Sequence, residues 1–92
     1  MKCPVPGAVE KIQIVKIKDD ILYIRQGSWK PHPGTYRDRV WVSEFSTQRW
    51  RRTAIWDFAF HTYTVQYRPA EGANLTPNQA SVNGTYQCKK IS

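Results

Sequence analysis

Cations and aromatic rings recur together along this chain, and together they suit one kind of chemistry: holding an anion. Lys16 and Lys18, then Arg25, then Arg37 and Arg39 fall on three consecutive predicted strands. Trp29, His32 and Tyr36 lie in or beside the loop after the second strand. An arginine offers a planar fork of N–H donors to a carboxylate or phosphate, and a nearby ring can stack on a sugar or a base. Arg25, Trp29, Tyr36, Arg37 and Arg39 are therefore the expected ligand-binding residues. The alternative is a solvated basic surface that only keeps the protein dissolved. A second cluster, Arg49-Trp50-Arg51-Arg52, opens a predicted helix. Positive charge there opposes the helix dipole, which points to an acidic partner or to solvation by water.

Residues able to do covalent chemistry are sparse. The two histidines, His32 and His61, have no partner at metal-ligand spacing, and there is no HExxH, CxxC or CxxH. No glycine-rich loop precedes a helix to cradle a phosphate. Cys88 with His61 has the makings of a thiol nucleophile and its base, but a cystine and a helix-end histidine account for the same two residues. Asp19-Asp20 reads as a hairpin turn rather than a pair of catalytic carboxylates. The expectation is a non-enzymatic protein with no metal and no cofactor.

These residues must be positioned by a single domain, residues 1–92, because 92 residues leave no room for two. A hydrophobic share of 40% and a charged share of 23% are those of a folded chain. No apolar run approaches the length of a membrane-spanning helix. The net charge is +7, and aromatic residues reach 13%. Cys3 and Cys88 lie near the two ends. Pairing them would close a loop of about 85 residues, worth about 3–5 kcal/mol in the chain-entropy model. A cystine of that kind favours a secreted or periplasmic mature chain. With no apolar leader at Met1-Lys2-Cys3-Pro4, the alternative is a cytoplasmic protein with two free thiols.

Periodicity predicts mainly β structure with one helix, in the order β-β-β-α-β-β. Residues 1–7 read as an extended lead-in. A long first strand starts at Val9; Ile12 and Ile14 fall out of step with Val15 and Ile17, which a bulge would explain. Ile21 to Ile24 form a second strand ended by Gly27, residues 28–36 a loop, and residues 37–45 a third strand with Trp41 and Phe45 in the core. Ser46-Thr47 is a helix-cap signal, and residues 48–61 are the predicted helix. Trp50 and Phe58 would pack on the sheet. Trp56 and Phe60 would lie on the other side, so Arg52, Trp56 and Phe60 are the expected subunit interface of an oligomer. Tyr63 to Tyr67 is the fourth strand, residues 70–84 a loop, and Thr85 to Ile91 the last strand. Five strands with a helix between the third and fourth is the layout of a small OB-like barrel; an open α+β sandwich is the competitor.

Several pieces recur in a familiar order: Gly7-x-Val9, Leu22-Tyr23-Ile24 with Gly27, Val40-Trp41-x-x-x-Phe45-Ser46-Thr47, the segment holding Ala54, and Val65-x-Tyr67-x-Pro69. Over residues 7–69 this order resembles the B subunits of bacterial toxins of the subtilase cytotoxin and typhoid toxin type. The resemblance implies an OB barrel, a pentameric ring and binding of sialylated glycans. No cysteine pair links the second and third strands as in that family, and only six residues precede Gly7, so no sugar contact is transferred. The expected function is a toxin-B-subunit-like binding module that forms a symmetric oligomer, which the resemblance implies is a pentamer, and takes an acidic glycan or other anionic ligand. Two other readings stay open: a basic OB domain for single-stranded nucleic acid, and a bacterial accessory protein with no ligand beyond its own copies.

Overall fold

Asp19 and Asp20 turn the chain with φ of 53° and 60°, the left-handed geometry a two-residue hairpin requires and a short polar side chain tolerates. Asp38 and Arg39 repeat the device at 53° and 66°. Turns this tight make neighbouring strands pair with each other. The computed structural model, which describes residues 1–91 apart from the side chains of Val9 and Gln26, accordingly consists of two antiparallel meanders. The first sheet holds β1 (Lys2–Val5), β2 (Ala8–Lys18), β3 (Ile21–Gln26) and β4 (Ser28–His32), in that order. The second holds β5 (Thr35–Arg37), β6 (Val40–Ser46), β7 (Trp50–Asp57), β8 (Thr62–Pro69) and β9 (Gly84–Gln87). One short helix, α1 (Pro77–Ser81), sits between β8 and β9, capped by Thr76 and Gln79.

The mainly β architecture agrees with the sequence; the position of the helix does not. Residues 48–61 contain β7 and the turn after it. Thr47 does bond two backbone N–H groups, but they belong to Arg49 and Trp50, at 3.2 and 3.1 Å, and they close a turn between strands. The segment fits period two as well as period 3.6. Arg52, Ala54 and Trp56 point inward, with β-branched Thr53 and Ile55 between them. Pairing on both sides decides the matter: Trp56 stands opposite Trp41 on β6 and Tyr63 on β8, and Ala54 opposite Ser43 and Val65. Aromatic residues on two sides of a helix needed a second subunit; in a central strand they need none.

Other boundaries shift for related reasons. The predicted lead-in is strand β1, and residues 28–36 supply β4 and β5 rather than a loop. The third predicted strand is broken by the Asp38-Arg39 turn. No bulge separates Ile14 from Val15, since β2 pairs with β3 without interruption from Ile14 to Lys18. Gln13, Val15 and Ile17 face inward, while Ile12 faces out and is 64% exposed. The register shift lies instead between Pro4 and Val5, where β1 meets the start of β2.

The core lies between the sheets: Val15, Leu22 and Ile24 from the first meet Trp41, Ala54, Trp56, Tyr63 and Val65 from the second. Trp56 is 2% exposed and stacks on Tyr63 with centroids 4.5 Å apart. Such a stack adds roughly 0.5–1.5 kcal/mol beyond the area it buries. Phe45, expected in the core beside Trp41, is 54% exposed near the end of β6. Gly34 lets the chain pass from one sheet to the other. A Cβ there would meet the Trp41 ring at 2.8 Å and the Val42 carbonyl oxygen closer still.

The two sheets are stitched along one side. Cys3 and Cys88 form a disulfide across 85 residues of chain. Beside it, Lys2 and Lys89 exchange backbone hydrogen bonds of 2.8 and 2.7 Å. Reduction should therefore lower stability by about 2–5 kcal/mol. Urea denaturation with and without reductant measures this, and an unchanged midpoint would show that the loop constraint contributes nothing.

Candidate functional site

Five segments converge at the end of the sandwich where β7 finishes. Lys16 comes from β2 and Tyr36 from β5. Arg39 comes from the Asp38-Arg39 turn, which orients it through its left-handed backbone. Phe58 and His61 come from the β7–β8 turn, held by Asp57, whose Oδ1 accepts from the Ala59 and Phe60 N–H groups at 2.9 Å. Lys90 and Ile91 follow the disulfide. Together they line a cleft of about 370 Å³. That volume is at the small-ligand end of the range for binding pockets.

Its charge is one-sided. Lys16, Arg39 and Lys90 line it, and among the described residues no side-chain carboxylate does. Tyr36 and Phe58 form the apolar wall, meeting edge to face at 6.4 Å. The Arg39 carbonyl accepts from Phe58 N–H at 2.8 Å, and the His61 carbonyl from Cys88 N–H at 2.7 Å, so both turns are tied to the walls. The Met1 amine donates to the Val15 carbonyl at 2.6 Å on the cleft floor, where burial holds its pKa below the usual value of 8.0.

The aromatic and basic pattern continues over the rim onto the outer face of the first sheet. Lys16 Nζ sits 4.2 Å from the centre of the Trp29 ring. Arg25 is directly opposite Trp29 in the β3–β4 register, and Tyr23 opposite Lys16 in the β2–β3 register. Tyr36 and Arg39 thus share the cleft, and Trp29 and Arg25 share the adjoining face. Arg37 belongs to neither. It lies 88% exposed with its guanidinium 3.6 Å from Asp38, an exposed pair worth little. The reason is the Asp38-Arg39 turn, which parts Arg37 from Arg39 and puts both on the second sheet, away from Arg25. Lys90 is the lining residue that sequence reasoning passed over. Its only signal was its place two residues after a cysteine that closes the chain.

The geometry also bears on four other residues singled out from the sequence. Trp56 is buried in the chain's own core, so it offers no surface to a second subunit. Phe60 is 76% exposed at the tip of the β7–β8 turn. Arg52 turns inward at the opposite end of the sandwich, because β7 is a strand and alternates. Cys88 cannot act as a nucleophile beside His61, since its sulfur is bonded to Cys3.

Arg52 also marks the electrostatics of its own end. Burial lowers the pKa of His32, and the Arg52 charge lowers it further. Burial pushes Tyr63 up to about 12; Arg52 opposes the rise, and Tyr67 and Tyr86 add to it. The unfolded chain therefore loses this proton before the folded one does. Stability is unaffected by Tyr63 below pH about 10 and falls by roughly 2–3 kcal/mol as the pH climbs toward 12. Ultraviolet titration should show one tyrosine ionising last, and Tyr63→Phe should remove that step. A titration completed near pH 10 would contradict the burial.

Comparison with family models, with curated proteins and with solved structures returns no match to this chain.

Proposed function

We propose that this chain is a non-enzymatic binding module that takes an acidic glycan or another anionic ligand in the cleft of Lys16, Tyr36, Arg39 and Lys90. One observation carries the reading: Arg39, Lys90 and two rings line one cleft, Lys16 adds its charge at the rim against Trp29, and no side-chain carboxylate of the described residues joins them. Cations held together without counter-charges repel one another, and an anion relieves that repulsion. Arg39 supplies the fork for a carboxylate, the two lysines supply point charge, and Tyr36 offers a ring face to a sugar. Trp29 and Arg25 extend the contact to a second residue of an oligosaccharide over the rim.

The toxin-B-subunit resemblance of the sequence is compatible with this ligand class. An OB-like barrel would require the two meanders to join along their edges. The Lys2–Lys89 bridge supports such closure on one side. A symmetric oligomer, a pentameric ring in that family's case, would rest on Phe60 and on the outward Ile12 and Ile21 of the first sheet, 76%, 64% and 39% exposed. A secreted or periplasmic site of action, and a bacterial source, follow from the cystine and the resemblance in the same way.

Single-stranded nucleic acid is the second reading, favoured by the Lys16–Trp29 contact beside Arg25 and Tyr23. The two differ in salt dependence: phosphate tracking along a strand weakens steeply with salt.

A sialylated glycan array run beside a titration with oligothymidylate tests both. Arg39→Ala should weaken glycan binding about 10–100-fold, the loss of a charge-assisted hydrogen bond of 1.5–3 kcal/mol. Trp29→Ala should weaken it less than Arg39→Ala if the cleft is the primary subsite, and more if a base stacks there, by about 1–3 kcal/mol. Wild-type protein that binds neither ligand defeats both readings. Light scattering at micromolar concentration should give a mass above the 10.7 kDa of one chain; a monomer removes the oligomer and leaves the ligand reading standing.

A further inference from the structure

The other end of the sandwich holds a cation that makes no ion pair among the described residues. Arg52 stands opposite Phe45 on β6 and Tyr67 on β8, on the inward face of the second sheet. Its inward neighbours along β7, Ala54 and Trp56, are 0% and 2% exposed. The strand therefore directs the guanidinium into the space between the sheets, half-buried, rather than onto the surface. Among the described residues the one ion pair is Arg37 with Asp38, so no carboxylate lies within 4.0 Å of Arg52. A partly desolvated arginine without a partner costs stability.

Two clefts meet at this residue. One, of about 350 Å³, is lined by Arg52, Gln13, Tyr63, Tyr67 and Val65, with α1 contributing Gln79. The other, of about 320 Å³, runs from Arg52 past Trp50, Phe45 and His32. Gln13 is the second unusual residue. It is 6% exposed on a strand face otherwise carried by Val15 and Ile17. Its amide stands on the first sheet across from the guanidinium on the second. Tyr63 and Tyr67 wall the larger cleft, and Trp50 meets Tyr67 edge to face at 5.2 Å.

We infer that Arg52 and Gln13 form a second anion site, distinct from the cationic cleft, which takes a small carboxylate carried on a ring or short apolar body. The guanidinium fork matches a carboxylate in two parallel hydrogen bonds, Gln13 supplies a further donor or acceptor, and the tyrosine rings cover the body. The charge of the ligand follows from the lining. One arginine faces it, and the Glu44 carboxylate lines the neighbouring cleft. Arg52 is the one charged residue that lines the larger cleft, which suits a monoanion, whereas a phosphate monoester would carry a second charge toward Glu44. The sites are physically separate, since β7 alone runs roughly 17 Å from Arg52 to its end at Asp57.

Two-dimensional NMR titration of the whole chain with benzoate, glucuronate, inorganic phosphate and neutral benzyl alcohol tests this. Benzoate or glucuronate should move the Gln13 side-chain amide and the Arg52 Nε signals saturably. Arg52→Gln should weaken that binding at least tenfold, while Arg39→Ala leaves it unchanged. Arg52→Lys keeps the charge and loses the fork, so it too should weaken binding, and it carries the test if Arg52→Gln does not fold. Equal binding by wild type and the Arg52 variants overturns the site, as do Gln13 and Arg52 signals that no carboxylate moves. Phosphate or benzyl alcohol binding as tightly as benzoate overturns the ligand class. Carboxylate binding lost in Arg39→Ala but kept in Arg52→Gln places the anion in the first cleft, and overturns this proposal without touching that one.

Discussion

The covalent tie between Cys3 and Cys88 is the constraint on which the rest of the molecule depends. Each meander alone is a small sheet with one apolar face, and a few strands bury too little to be stable. Stacking the two faces solves that, but the chain passes between the sheets only once, near Gly34. Without a second fastening the far edges would be joined by packing alone. The disulfide and the Lys2–Lys89 bridge supply it. They also carry Met1 under the cationic cleft and Lys90 to its rim, so the same tie that closes the core completes the candidate site.

The two ends of the sandwich differ in how charge is managed. At one end the cations Lys16, Arg39 and Lys90 ring an open cleft, and water screens them. At the other, Arg52 is drawn between the sheets among aromatic rings, where an uncompensated charge is felt more strongly. That is visible in its neighbours. The Arg52 charge adds to the depression of His32 and works against the rise of Tyr63. A strand places both ends at once, because residues of one inward face run from Arg52 through Ala54 and Trp56 to the turn before Phe58.

Much of the structure could be read from the residues directly. β content, the Asp19-Asp20 turn and the buried Trp41 follow from local chemistry, turn geometry and alternation; the sequence left Cys3 and Cys88 open between a disulfide and two free thiols, and the fold brings them together. The clustering of Arg39 with Tyr36, and of Arg25 with Trp29, was foreshadowed by basic residues interleaved with rings. Residues 48–61 could not be read that way. Trp50, Arg52, Ala54, Ile55 and Trp56 satisfy a helical and an extended pattern equally, and a capping threonine can serve a turn as well as a helix. What separates the two is the partner strands: β6 and β8 lie on either side, and their pairing with β7 depends on contacts distant in sequence.

That one ambiguity carried the functional consequences. As a helix, the segment would have turned Arg52, Trp56 and Phe60 toward another subunit. As a strand it buries Trp56, aims Arg52 between the sheets and leaves Phe60 at a turn tip. The sequence by itself determined which residues can bind an anion, that two cysteines can close the chain, and that strands dominate, because these depend on residue type and near neighbours. Only the tertiary structure decided that Lys90 joins Arg39 while Arg37 does not, and that Arg52 makes no ion pair among the described residues. Both outcomes depend on which strands pair and which face turns inward, and shifting one strand by a single residue would exchange every side chain between core and solvent.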